Sequence, residues 1–198
     1  GNTTTANIIS GGYDSSSYSL KSGNDTTNLW KQTTSDNLPN NIKSISFWHK
    51  TTSTTVGVGE SSDNLYILDY RNDNNNNGII SGLVWLRGTN NYSIQNYGGT
   101  FFKKWFVNGS EVTLSGSSPN SGISSNVNIS DFEWVHHYIE LDTNNNSPQL
   151  LQWFQPIGSE NTKYSHEGYL DEIRFFDSSL NNTEIQAITY MRKSTDIT

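Results

Sequence analysis

Carboxylates and imidazoles are the side chains in this 198-residue chain best placed for chemistry, and their spacing limits what they can do. Asp171 and Glu172 are neighbours inside Tyr169 to Phe176, a run that alternates aromatic and β-branched residues as a strand does. Successive side chains of a regular strand point to opposite faces, so the two acids cannot attack one bond together. The doublet His136-His137 diverges for the same reason. With His49 and His166 it completes the chain's four histidines, and zero cysteines leaves nothing to finish a soft zinc site. A serine triad would need a nucleophile-elbow pattern, and the sequence has none. One histidine turned inward and hydrogen-bonded, with its neighbour outward, fits these residues best.

Aromatic residues offer a different chemistry. Six Trp and ten Tyr exceed what a core of this size needs. Indole and phenol rings stack on the apolar faces of sugar rings, while loop Asn, Asp and Gly bond the hydroxyls. The candidate ligand-binding residues are therefore Trp85, Tyr92, Tyr97, Trp105 and Trp153, beside the Asn-rich run at 72–77.

Composition sets the frame for both groups. Asn, Ser and Thr make up more than a third of the chain, which favours turns and strands over helices. Only 16% of residues are charged and 12% are aromatic, a balance unlike that of disordered segments. A net charge of −7, with Lys and Arg scattered singly, excludes the basic stripe of a nucleic-acid binder and disfavours anionic membranes. No apolar run approaches the length of a membrane-spanning helix. The absence of cysteine rules out a disulfide scaffold.

The elements that must carry these residues are mostly short strands. Residues 1–16 read as a leader or a first edge strand. Tyr18 to Lys21, Leu29 to Lys31, Thr54 to Gly59, Leu65 to Tyr70, Ile79 to Leu86, Phe132 to Leu141 and Leu150 to Gln155 read as strands. Ile42 to Thr51 alternates most clearly, with Ile45, Phe47 and His49 on one face and Ser44, Ser46 and Trp48 on the other. Residues 92–100 leave strand and loop open, and 115–130 reads as a Ser/Gly/Asn-rich loop. Asn108-Gly109 between two β-prone runs predicts a type I′ hairpin. After Asp177-Ser178-Ser179 the period becomes helical, with Ile185, Ile188 and Met191 on one side and Asn181 three residues before Glu184, a capping box. The fold class is all-β: a two-sheet antiparallel sandwich with one short C-terminal helix.

Four stretches, in this order, resemble the concanavalin A-like lectin/glucanase superfamily in its laminin-G-like jelly-roll branch. They are Ser19 to Asp25 (SLKSGND), Ser44 to Thr51 (SISFWHKT), Glu133 to Leu141 (EWVHHYIEL) and Gly168 to Ile188 (GYLDEIRFFDSSLNNTEIQAI). The last is the most specific. The Asn-Gly hairpin departs from the family order by preceding the Trp-His strand, and residues 72–130 have no counterpart. The resemblance implies a jelly roll over residues 1–198, acting as a module of a larger protein. It also implies that Trp48 and Trp134 lie in core strands. A structural calcium ion is implied too, with Asn24, Asp25 and Asp171 as its ligands, since calcium takes six to eight oxygens. Glycosidases of the superfamily carry three acids on one strand. Here Glu140-Leu141-Asp142 supplies two, and the third position falls on Asn144 or Asn145, which cannot move a proton. A non-catalytic carbohydrate-binding module, extracellular or on a cell or virion surface, is the expectation. The partner is a glycan or a surface protein, with no nucleic acid and no membrane insertion. The alternative is an adhesive protein-interaction module without a sugar site, and a glycoside hydrolase ranks third.

Overall fold

The computed structural model describes residues 7–10, 18–22, 30–33, 41–51, 64–71, 80–86, 91–97, 102–114, 123–128, 133–142, 150–153 and 168–190. The early strands are β1 (Asn7–Ser10), β2 (Tyr18–Ser22), β3 (Trp30–Thr33), β4 (Ser44–Thr51), β5 (Asn64–Arg71) and β6 (Ile80–Leu86). There follow β7 (Asn91–Tyr97), β8 (Phe102–Val107), β9 (Ser110–Val112), β10 (Ile123–Asn128), β11 (Val135–Leu141), β12 (Leu150–Trp153) and β13 (Gly168–Phe176), then the helix α1 (Asn182–Tyr190). One sheet has seven strands in the order β1-β2-β13-β4-β11-β8-β9, and the other has six in the order β10-β7-β6-β5-β12-β3. Every pairing is antiparallel. This is the expected two-sheet jelly-roll sandwich. The described helix is neither long nor apolar enough to cross a membrane.

One apolar core joins the sheets. Ile45, Phe47, Trp105, Val135, Ile139 and Leu170 come from the seven-stranded sheet, and Leu68, Leu83, Tyr92, Ile94 and Trp153 from the six-stranded one. The alternation read in Ile42 to Thr51 holds: Ile45, Phe47 and His49 are fully buried in the interior. The same strands carry a second apolar patch on the outer face, where Phe106 and Tyr138 meet Ile185, with Leu180 and Ile188 at its margin. β11 is therefore buried on both faces, and so is β8 from Trp105 to Val107.

Local signals account for the devices at this outer face. Asn108 and Gly109 have φ of 49° and 77°, the two left-handed residues that a type I′ turn requires. A side chain added at Gly109 would meet Thr189 and Gln186 of α1 at 3.6 and 3.7 Å, so the turn sits directly against the helix. The capping box forms in both directions. Asn181 Oδ1 accepts from the Glu184 amide at 3.1 Å, and Glu184 Oε2 accepts from the Asn181 amide at 2.8 Å. The Leu180 amide donates to the Tyr138 hydroxyl at 2.8 Å, which ties the helix start to β11.

Three segments differ from the sequence expectation or settle it. The Ser/Gly/Asn-rich stretch read as loop contains β10, an edge strand paired with β7. Residues 91–97 form β7, inside the six-stranded sheet. Asn7–Ser10 is the first edge strand. The expected strand at 54–59 and the helical residue Met191 lie outside the described residues.

Candidate functional site

The central strands of the seven-stranded sheet bring the His doublet and the carboxylates of β13 into one frame. β4 lies between β11 and β13, with Trp48 opposite both His136 and Asp171. Inside the sandwich, His137 is wedged among rings: its centroid lies 4.6 Å from Tyr92, 5.2 Å from Phe47 and 6.1 Å from Trp105. The Trp105 indole donates to His137 Nδ1 at 3.3 Å. An indole N–H can only donate, so the neutral imidazole carries its proton on Nε2, where no hydrogen-bond partner stands among the described residues. Burial, and then the neighbouring His136, hold its pKa well below the usual histidine range. His49 Nδ1 lies 3.0 Å from the Tyr92 hydroxyl, whose own pKa burial pushes up. This cluster has no access to solvent and is structural.

His136 faces the other way, as the doublet's spacing predicts. Thr189 Oγ1 donates its one proton to the Ile185 carbonyl at 2.8 Å, so at 2.9 Å it accepts from His136 Nδ1. Burial, with Arg174 contributing, lowers the His136 pKa to about 4. Asn108 Oδ1 accepts from the His136 amide at 2.9 Å, which links the hairpin, β11 and α1 at one point.

The candidate stacking residues divide sharply. Trp105 and Trp153 are 0% exposed and Tyr92 is 1% exposed. A stacking platform must offer a ring face to solvent, and these three offer none. Their strand positions face the other sheet, where large rings fill the space between layers. This corrects the expected binding role for Tyr92, Trp105 and Trp153. Trp85 stands opposite Tyr92, and Tyr97 opposite Ile80, in the six-stranded sheet. Their side chains lie outside what the structure describes, as does the 72–77 run.

The carboxylates are also rearranged. β13 carries a bulge between Asp171 and Arg174, where three steps of β13 match two steps of β4. Glu172 is the extra residue and has a φ of 51°, in the left-handed region. The bulge lets Leu170, Ile173 and Phe175 all meet the core while Asp171 and Arg174 share the outer face with Trp48 and Ser46. Asp171 Oδ1 accepts from the Glu172 amide at 2.8 Å, and Glu172 forms an ion pair with Arg174. The two acids do not diverge as in a regular strand; each is engaged locally.

Of the three residues expected to bind calcium, Asp171 is the one among the described residues. Ser22, the last residue of β2, pairs with Gly168, three residues along β13 from Asp171, which is about 10 Å of strand. Asn24 and Asp25 lie outside the described residues. Among the described residues no group of three or more acidic or histidine side chains could hold a metal ion. Glu140, the first acid of the glucanase-like pair, is 3.2 and 3.4 Å from the ammonium groups of Lys103 and Lys104.

A different set of residues forms the accessible strip. On the outer face, Lys50 pairs across β4 and β13 with Tyr169, and one step beyond the Val135–His49 pair Trp134 stands on its other side. All three are half-buried. The Trp134 and Tyr169 rings are 6.3 Å apart and tilted by 48°. Below them runs the row Asp171, Trp48, His136, with Trp48 packed against His136 at 5.0 Å. Trp134 thus lies at the surface of the sandwich, not in its core. The alternation of Ile42 to Thr51 put Trp48, and so Lys50, on the face opposite Ile45, Phe47 and His49 without saying which face is the interior; Tyr169 carried no such flag.

No family model matches this chain, and no curated protein matches it. Among solved structures it is similar to a native heptameric SAP-like pentraxin from Limulus polyphemus, at 12% identity and a TM-score of 0.44, over 75% of this chain and 70% of that one. The two-sheet architecture rests on the strand pairings themselves, and a likeness of this size adds nothing to them.

Proposed function

We propose that this chain is a non-catalytic carbohydrate-binding module that reads glycans on the outer strip formed by Trp134, Lys50 and Tyr169. The carrying observation is the ring pair: two half-buried aromatic rings 6.3 Å apart on rigid sheet, with polar groups on either side. Such a surface stacks on a pyranose face while nearby polar groups bond its hydroxyls. The strip is pre-organised because β4, β11 and β13 are central strands, and α1 clamps β11 from outside. A module of this kind belongs on a secreted, cell-surface or virion-surface protein.

Two other readings fit less well. A retaining hydrolase needs two carboxylates about 5 Å apart that are free to exchange protons. Asp171 holds a backbone amide, Glu172 holds Arg174, and Glu140 holds two lysines. An assembly face needs a contiguous apolar patch of several hundred Å², and the exposed large hydrophobic side chain among the described residues is Tyr190, alone.

The deciding experiment is a glycan array with wild type and Trp134→Ala, each with and without EDTA. Binding by wild type that the substitution abolishes supports the strip. Silence of wild type in every condition overturns the reading. Loss on chelation alone assigns the sugar contact to a calcium ion, with Asn24, Asp25 and Asp171 as the ligands to mutate next.

A further inference from the structure

We infer that the strip selects acidic sugars, with the Lys50 ammonium as the group that recognises a sugar carboxylate. The inference rests on the glycan reading above and names the ligand class. Among the described cations, Arg174 is paired with Glu172, and Lys103 and Lys104 are both paired with Glu140. Lys43 also has interactions within the fold. Lys50 has no ion pair among the described residues, although it is half-buried between two aromatic residues.

A partly desolvated ammonium beside ring faces favours an anion that also offers an apolar face. A uronic or sialic acid supplies both: its pyranose ring lies on Trp134 or Tyr169, and its carboxylate reaches the lysine. Polyanions such as nucleic acid or heparin-like chains fit poorly, because the chain carries a net charge of −7. Glu133, exposed next to Trp134, and the engaged acids Asp171 and Glu172 restrict the site further to one carboxylate at the lysine.

Titration calorimetry with two matched pairs tests this: methyl glucuronide against methyl glucoside, and sialyllactose against lactose. Wild type should bind the acidic member of at least one pair about tenfold more tightly at low salt, the scale of one charge-assisted hydrogen bond. That preference should shrink toward unity in 0.5 M NaCl. Lys50→Gln should abolish the preference by weakening the acidic member far more than the neutral one, with an unaltered circular dichroism spectrum. Equal affinities within both pairs, or equal weakening of both members by Lys50→Gln, overturn the acidic-sugar inference while the stacking site stands. No binding by any of the four overturns the glycan reading and this inference with it.

Discussion

The two faces of the seven-stranded sheet use the same strands and the same residue types for opposite ends. On the inner face, His137, His49 and Trp105 are sealed among rings, with Trp105 donating to His137 and His49 bonded to the Tyr92 hydroxyl. On the outer face, His136 anchors α1 and packs against Trp48, while Trp134 and Lys50 are half-buried at the surface. Adjacent residues in sequence thus carry unrelated roles, and strand parity decides which. An aromatic residue here is a functional candidate only when its face of the strand is known.

That contrast can be broken most violently from the inside. Trp105→Ala should cost about 3–5 kcal/mol, through the cavity it leaves and the donor it takes from His137. Trp134→Ala should cost about 1 kcal/mol or less and act on ligand affinity instead. Urea melts of both variants check this, and similar losses at both sites would erase the distinction between the faces.

Acid tests both faces at once. His136 and His137 are kept neutral in the fold, their pKa values lowered chiefly by burial. The unfolded chain takes up protons near pH 6.5 while the fold does not, so the fold binds fewer protons and loses stability as pH falls. The loss is about 1.4 kcal/mol per pH unit for each histidine. For His136 it runs from the ordinary value of 6.5 down to about 4 and amounts to roughly 3 kcal/mol. His137→Phe should flatten the slope of stability against pH between 6 and 4.5, measured by urea melts at each pH; an unchanged slope would remove His137 from this account.

Smaller effects separate the helix from the sheet. Thr189→Val removes the hydroxyl between His136 and the Ile185 carbonyl and should cost about 1–2 kcal/mol. Faster amide exchange confined to residues 182–190 would show that the loss is helix docking and not core packing. Glu172→Gly relieves a left-handed side chain at a gain of about 1–2 kcal/mol and forfeits an ion pair worth less than about 1. A thermal midpoint raised by about 2 °C is the expected balance, and a lowered one would mean that the ion pair outweighs the strain.

How far the sequence reaches follows from the same parity argument. Asn108-Gly109, the Asn181/Glu184 box and the alternation of Ile42 to Thr51 were legible because each is a local requirement of backbone geometry. The faces of Trp105 and Trp134 were not. β11 and the Trp105 to Val107 end of β8 are covered on both sides, so WFV and VHHYIEL show no apolar–polar alternation from which to read the interior. The bulge at Glu172 was hidden because glycine, the usual mark of a left-handed residue, is not used there. β10 was hidden in a stretch of Ser and Asn, since an edge strand needs few apolar residues.

The order β1-β2-β13-β4 also governs how the chain can be made. During synthesis β1 and β2 leave the ribosome long before β13, the strand that joins them to the rest of their sheet. β4 and β11 can pair earlier, but the gap between β2 and β4 stays open until Phe176 has cleared the exit tunnel. Pairing residues some 150 positions apart makes closure slow. A nascent chain stalled before Gly168 would therefore display β1, β2 and one bare edge of β4 to the chaperones around it.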